Sequence, residues 1–310
     1  MAEFVTVEQL VNELDLEVFS GHEFLDRKIV TSDISRPGLE LTGYFNYYPS
    51  NRIQLLGKKE TTFLERMSSD EKVIVMKKLC SVDTPVFVFS RGLPPTEELV
   101  KVSIEKQIPV LITKRSTSRI AGLMSNYIDT KLAPRTSIHG VLVEIYGLGV
   151  LIQGDSGIGK SETGLELIKK GHRLVADDRV DVYQQDERTV VGEPAPILEH
   201  LMEIRGIGII DVMNLFGASS VRKSCPVQLV VKLEHWTPDK QFDRLGGSEQ
   251  RFRIADVDVP MISIPVKTGR NVAIIIEVAA MNFRAKTMGH NATKTFEDNL
   301  ARLIETNSEQ

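Results

Sequence analysis

The 310-residue sequence is short of several things, and each shortage removes a class of function. There are two cysteines, Cys80 and Cys225, far apart and in no metal-ligand spacing, so neither a disulfide framework nor a cysteine-held metal is expected, only two buried, reduced thiols. The six histidines never form the HExxH pattern of a zinc site. No basic excess is present: 38 Lys and Arg against 42 Asp and Glu leave a net charge of −4, which argues against broad binding to nucleic acid or membrane surfaces. No apolar run approaches the roughly 18 residues of a membrane span. Met1-Ala2-Glu3-Phe4 carries an acid where a signal peptide would be basic and then apolar, so a cytoplasmic protein is expected. Low-complexity tracts and repeats are lacking too.

What remains is an ordinary globular composition, 42% hydrophobic and 26% charged, at a length that suits about two domains. Residues 1–130 read as a small α/β domain. Val5–Leu14 has the pattern of an amphipathic helix, Arg52–Gly57, Pro85–Ser90 and Ile108–Ile112 read as strands, and Pro94–Leu99 opens a helix. Strands alternating with helices imply a parallel or mixed sheet covered by helices. Nothing in this half has catalytic spacing; a ligand-sensing role for it is compatible with all that follows. A break near 130–136, around Lys131-Leu132-Ala133-Pro134-Arg135, separates it from residues 131–310. There, two apolar runs, His139–Val143 and Gly149–Gln153, flank Tyr146-Gly147-Leu148 and suggest a hairpin whose second strand feeds a glycine loop.

That loop, Gly154-Asp155-Ser156-Gly157-Ile158-Gly159-Lys160-Ser161, fits GxxxxGK[ST] at every fixed position. Glycines let the backbone curl so that successive N–H groups face phosphate oxygens. Lys160 brings a mobile positive charge, and the Ser161 hydroxyl can hold Mg2+, which takes few protein oxygens. Lys160–Lys170 continues as a helix stopped by Gly171, so the positive end of its dipole meets the anion. The loop therefore binds a nucleoside triphosphate or similar polyphosphate.

Arg173–Asp178 reads as a short strand ending in two acids, 16 residues from Ser161 to Asp177. One βαβ unit brings both to the same sheet edge, where one acid can orient Mg2+ or its water and the other accept a proton; the plainer alternative is a solvated turn. His139 opens the strand leading to the loop, and a lone histidine is more often structural. Glu203-Ile204-Arg205-Gly206-Ile207-Gly208-Ile209-Ile210-Asp211 sets a carboxylate and an arginine beside paired glycines. Asp243-Arg244-Leu245-Gly246 and Pro265-Val266-Lys267-Thr268-Gly269-Arg270-Asn271 are further basic, glycine-containing loops, which together concentrate positive charge for an anionic substrate.

Together, His139–Val143, Gly154–Ser161, Asp177-Asp178, Glu203–Gly208, Asp243-Arg244 and Lys267–Arg270, with Ser35–Gly38 and Ala279–Arg284, resemble the bacterial HPr kinase/phosphorylase family over essentially the whole chain. The resemblance implies an enzyme that phosphorylates a regulatory serine of the phosphocarrier protein HPr with ATP or pyrophosphate. It also implies removal of that group by inorganic phosphate with release of pyrophosphate, in the control of carbon catabolite repression. It implies Mg2+, a homohexamer, fructose 1,6-bisphosphate as effector, and a C-terminal P-loop domain similar to the nucleotide-binding core of phosphoenolpyruvate carboxykinase. The chain lacks the HRD…N and DFG elements of eukaryotic kinases, in keeping with that. Carried onto matching positions, Asp178 resembles the base of the kinase step and the acid of the reverse step. His139, Lys160 and Arg244 resemble other catalytic residues, and Ser161 and Glu203 resemble Mg2+ ligands. The loop Pro265, Val266, Lys267, Thr268, Gly269 and Arg270 resembles the element tied chiefly to dephosphorylation, and Asp177 supports the metal or phosphate shell. A small-molecule P-loop kinase, a carboxykinase-like enzyme and a nucleotide-driven switch are the rival readings. The extra anion-binding loops favour a transferase over a switch.

Overall fold

The computed structural model describes residues 4–237, 250–267 and 269–308. The chain divides into two compact units, 1–133 and 134–310.

The first unit is a mixed five-stranded sheet with helices packed on it. Its strands are β1 (Glu17–Ser20), β2 (Ile34–Ser35), β3 (Ile53–Leu56), β4 (Phe87–Phe89) and β5 (Val110–Ile112). They lie in the order β1-β5-β4-β3-β2, all parallel except the antiparallel edge strand β1. The helices are α1 (Val7–Leu14), α2 (Lys58–Leu64), α3 (Ser69–Leu79), α4 (Glu97–Glu105) and α5 (Thr117–Leu132). In α1, Thr6 and Gln9 form a reciprocal capping box, and Val7, Leu10 and Leu14 make one buried stripe. Strands β3 and β4 are buried on both faces, as central parallel strands are, and all their residues are apolar except Gln54, whose amide donates to the Pro49 and Arg52 carbonyls. Cores lie on both sides: Leu10, Ile53, Leu55 and Ile120 on one, Leu56, Met76, Phe87 and Phe89 on the other. Helix α5 runs to Leu132, so the break between units is confined to Ala133-Pro134 and is narrower than the sequence suggested. Proline disfavours helical backbone at the residue before it, and Ala133 is extended.

In the second unit the strands are β6 (Arg135–His139), β7 (Val141–Ile145), β8 (Leu148–Gly154), β9 (Arg173–Ala176), β10 (Arg179–Gln184), β11 (Val190–Pro194), β12 (Leu201–Ile204), β13 (Gly208–Asp211), β14 (Cys225–His235), β15 (Gln250–Ile254) and β16 (Val257–Val266). The helices are α6 (Lys160–Lys169), α7 (Val212–Phe216), α8 (Val272–Thr287) and α9 (Ala292–Ser308). Strands β12 and β13 form a hairpin; the other nine form one sheet, β9-β7-β8-β14-β11-β10-β6, with β16 on the far part of β14 and β15 on β16. Strands β7 and β8 are the expected hairpin. Its two-residue turn puts Tyr146 and Gly147 at φ +51° and +84°, the left-handed pair that matches strand twist. Side chains alternate along β8: Val150 and Ile152 meet α6 and α8 through Leu167, Ile168, Ala273 and Ile276, while Leu151 faces Val180, Val230 and Val259. Each such aliphatic side chain contributes about 1.5–3 kcal/mol by leaving water.

Strands β8, β14 and β16 run parallel, and β9 runs with them because antiparallel β7 lies between it and β8. Their carboxyl ends therefore share one edge, which carries the glycine loop, Asp177-Asp178, Trp236 and the segment from Lys267.

Both cysteines are free and buried, as expected, and burial pushes their thiols up to about 12, so neither is a ready nucleophile. Among the described residues no helix is long and apolar enough to cross a membrane.

Candidate active site

The glycine loop leaves β8 and enters α6 with Gly154, Gly157 and Gly159 at φ +151°, +83° and +97°. At Gly157 the left-handed backbone sets the requirement; the nearest atoms, 2.8 Å from where a Cβ would lie, belong to the end of the flexible Arg205 side chain, which can shift. Arg205 reaches across from the end of β12 and donates to Ser156 Oγ at 3.4 Å. Lys160 is folded back on the loop, donating to the carbonyls of Gly154 and Asp155 at 2.9 and 3.0 Å. An incoming phosphate offers it oxygens of higher charge than those carbonyls.

Asp177 holds the centre. It is 3% exposed, Oδ1 accepts from the Ser161 hydroxyl at 2.9 Å, and Oδ2 accepts from the Glu203 N–H at 3.0 Å. Burial raises its carboxyl above the ordinary range, opposed by those two hydrogen bonds and a third from the Asp178 backbone. One side chain thus ties the loop helix α6 to the β12–β13 hairpin. Strand β9 stops at Ala176, so the two acids lie in the turn after it and not within the strand, as the sequence suggested. Asp178 sits at φ +61°, a left-handed position that glycine, asparagine and aspartate adopt more readily than other residues. There its side chain stays 69% exposed beside the buried Asp177, and its carboxylate is 3.8 Å from His139 Nδ1. His139 Nδ1 also lies 3.2 Å from the Asp178 carbonyl, and Gly140 N–H donates to that carbonyl at 3.1 Å. The end of β6 is thereby pinned to the turn carrying the acids.

Lys160, Ser161, Asp177, Asp178, Glu203 and Arg205 line one cavity of about 160 Å³. Val141, from the His139–Val143 run, and Glu162, which did not stand out in the sequence, line it too. Glu162 is an exposed acid in the first turn of a helix, where acids are common for dipole reasons alone. Among the described residues no group of three or more His, Cys, Asp or Glu is arranged to hold a metal ion. The oxygen donors lining the cavity are nonetheless all hard: the Ser156 and Ser161 hydroxyls and the carboxylates of Glu162, Asp177, Asp178 and Glu203. That set fits Mg2+, which binds through one or two protein oxygens and takes the rest from phosphates and water.

Among the loop residues predicted from sequence, Pro265 and Val266 end β16. Lys267 Nζ lies 4.5 Å over the Trp236 ring, and Arg270 N–H donates to the Lys267 carbonyl at 3.1 Å. Asn271 caps α8 by accepting from the Ile274 N–H at 2.9 Å. Asp243, Arg244 and Thr268 lie outside the described residues. Asp211 is spent on structure, capping α7 by accepting from the Asn214 N–H.

A strand, a glycine loop and a helix facing paired acids across a small polar cavity define a phosphate-binding, phosphotransferase class of domain. Comparison with known proteins narrows the class. The HPr Serine kinase C-terminal domain matches residues 130–300, and the HPr Serine kinase N terminus matches residues 5–128. An HPr kinase/phosphorylase of Enterococcus faecalis is 67% identical over 309 residues, covering 99% of both chains. One of Lactiplantibacillus plantarum is 64% identical, covering 99% of this chain and 98% of its own. A solved structure, the Hpr(Ser) kinase/phosphatase from Coxiella burnetii, covers 52% of this chain and 98% of its own at 34% identity, with a TM-score of 0.47. The chain belongs to the HPr kinase/phosphorylase family.

Proposed function

We propose that the chain transfers the terminal phosphoryl group of ATP, or of pyrophosphate, to a regulatory serine of HPr, and that inorganic phosphate removes it again with release of pyrophosphate. The observation that carries this reading is the convergence of Lys160, Ser161, Asp177, Asp178, Glu203 and Arg205 on one cavity at the carboxyl edge of the sheet. In the forward direction the loop N–H groups and Lys160 bind the phosphates, and Arg205 adds positive charge beside Ser156. Arg244, which matches the family pattern, adds a further cation. Stabilising spread negative charge is where most phosphoryl-transfer catalysis comes from. Asp178, exposed and held at the mouth of the site, takes the serine proton. Protonated, it returns that proton to the leaving serine in reverse, as microscopic reversibility requires. His139, which matches the family pattern, stands with its Nδ1 3.8 Å from the Asp178 carboxylate and joins it at the mouth of the site. Ser161 and Glu203 would hold Mg2+, with Asp177 positioning both, and the bound ion would supply neutralisation of phosphate charge. The loop Pro265–Arg270, which starts where β16 ends at the same sheet edge, serves chiefly the reverse reaction.

The finer parts of the account have their own support. The glycine loop follows a strand with an antiparallel neighbour, in keeping with a core like that of phosphoenolpyruvate carboxykinase. Exposed apolar side chains on α8 and α9, among them Val278, Met281, Phe296 and Leu300, suit burial between subunits of a homohexamer. Control by fructose 1,6-bisphosphate, a place in carbon catabolite repression and a cytoplasmic location accord with family membership. Residues 134–310 form the catalytic unit, and residues 1–133 a separate α/β unit.

Asp178→Asn tests the assignment. Phosphorylation of purified HPr should fall by a factor of about 10²–10⁴, the usual worth of a general base, while nucleotide still binds. Full activity in that variant removes Asp178 from the role.

A further inference from the structure

Asn271 is the residue between the Pro265–Arg270 loop and helix α8, and its side chain bonds in two directions. Oδ1 caps α8 by accepting from the Ile274 N–H at 2.9 Å. Nδ2 donates to the Glu166 carboxylate on α6, 105 residues away in the chain. A carboxylate only accepts, so the orientation of the amide is fixed. Capping by itself does not call for asparagine. Aspartate and serine cap a helix as well, and aspartate also meets the positive end of the helix dipole. Asparagine differs in carrying a separate N–H donor beside its acceptor, and that donor is what reaches Glu166.

Glu166 is set aside for this bond. Its ordinary partner within a helix would be Lys170, four residues on. Lys170 Nζ turns instead to Glu277 of α8, at 3.0 Å. Glu166 and Lys170 therefore hold two points on α8, one at its cap and one at its middle. The second point does not need the first. Glu277 also accepts from the Tyr146 hydroxyl at 2.8 Å and lies 3.1 Å from His172 Nε2. Ala273, Ile276 and Ala280 share a buried core with Leu167 and Ile168 of α6. Helix α8 is thus fixed whether or not Asn271 reaches Glu166.

What the outer bond adds lies in the loop. Arg270 directly precedes Asn271, and its N–H bonds back to the Lys267 carbonyl at 3.1 Å, so holding Asn271 holds both cations. At the other end, the Trp236 N–H donates to the Val266 carbonyl at 3.2 Å, and Lys267 Nζ lies over the Trp236 ring. The start of the loop is tied to the sheet, and its end to the helix that opens with Lys160 and Ser161. Glu166 lies roughly 9 Å beyond Lys160 along that helix.

We infer that Asn271 is a positioning residue for phosphorolysis, holding Lys267 and Arg270 in place relative to the glycine loop through Glu166. The inference rests on the reading that this loop serves the reverse reaction. There, inorganic phosphate must be aimed at the phosphoserine phosphorus, and the cations that hold it must not drift. In the forward direction the nucleophile is the serine of HPr, which those cations do not hold. Asn271 therefore bears on one direction more than on the other.

Initial rates in both directions, with HPr and with phosphoserine-HPr plus phosphate, test this beside thermal unfolding. Asn271→Asp keeps the cap, loses the N–H and sets a second carboxylate against Glu166. Removal of phosphate should slow about tenfold while its addition changes less than about twofold, since misplacing a reacting group by an ångström costs up to about 10²-fold. Tm should stay unchanged. Adding Glu166→Gln returns an N–H to the pair with donor and acceptor exchanged, and should restore the reverse rate to within about threefold. No slowing in Asn271→Asp, equal slowing in both directions, or no recovery in the double variant overturns the inference. Lys267→Ala separates it from the reading of the loop. A loss confined to the reverse direction there, with Asn271→Asp at full rate, overturns the positioning role alone. An equal loss in both directions there overturns the reading of the loop and the inference with it.

Discussion

Replacing Asp177 by alanine and by asparagine should have very different consequences. Its carboxylate is buried and accepts two hydrogen bonds, from Ser161 and from the Glu203 backbone, each about 3 Å long. Alanine removes both and leaves the Glu203 N–H without a partner, a loss of about 1–3 kcal/mol, partly offset because a carboxyl group no longer has to be buried. A net cost of about 1–2 kcal/mol lowers Tm by roughly 2–8 °C in a unit of this size. Asparagine keeps both contacts: its oxygen accepts from Glu203, and its amide donates to Ser161 Oγ. Its Tm should stay within about 3 °C of the natural chain. Phosphotransfer should fall in both variants, because Asp177 positions the two proposed metal ligands. Burial raises the Asp177 carboxyl, so the folded state holds its proton more tightly than the unfolded state. Asp177 therefore lends most stability below the ordinary carboxylate range and loses it as pH rises through its raised folded value. Asparagine, with no proton to lose, should gain on the natural chain across that window. Thermal unfolding between pH 4 and 8 measures this. An alanine variant as stable and active as the natural chain, or an asparagine variant as unstable as alanine, refutes the positioning role.

Two further outcomes follow from other parts of the second unit. Glu277 of α8 accepts from Lys170, Tyr146 and His172 at 2.8–3.1 Å, and the Lys170 and Tyr146 bonds chiefly hold its carboxyl down to about 2. Its stabilisation is complete above the ordinary carboxylate range and vanishes as pH falls toward the folded value. Glu277→Gln should cost about 1–2 kcal/mol at pH 7, after allowance for its partial exposure, and almost nothing near pH 2, read by denaturant titration. Lys267→Ala and Arg270→Ala should slow removal of phosphate from phosphoserine-HPr by more than they slow its addition, measured as initial rates in each direction. Equal losses in both directions contradict the separate role of that loop.

How far the sequence could be read depended on how local the cause was. The glycine loop and its helix are set by residues next to one another, so eight consecutive positions were enough to place them. The pairing of Ser161 with Asp177 was legible because one βαβ crossover admits few geometries. The left-handed backbone at Asp178 was not, since aspartate is an ordinary turn residue and its φ is imposed by contacts from β6. The buried state of Asp177 depends on Glu203, 26 residues further on, and periodicity carries no information about that hydrogen bond.

The central claim is that one site both adds and removes a phosphoryl group on a protein serine. Incubation with ATP, Mg2+ and purified HPr, followed by excess inorganic phosphate, tests it most directly. The account predicts phosphoserine-HPr that forms in the first stage and disappears in the second, with one pyrophosphate released for each group lost. Disappearance without pyrophosphate, or ATP turnover that leaves HPr unmodified, contradicts it.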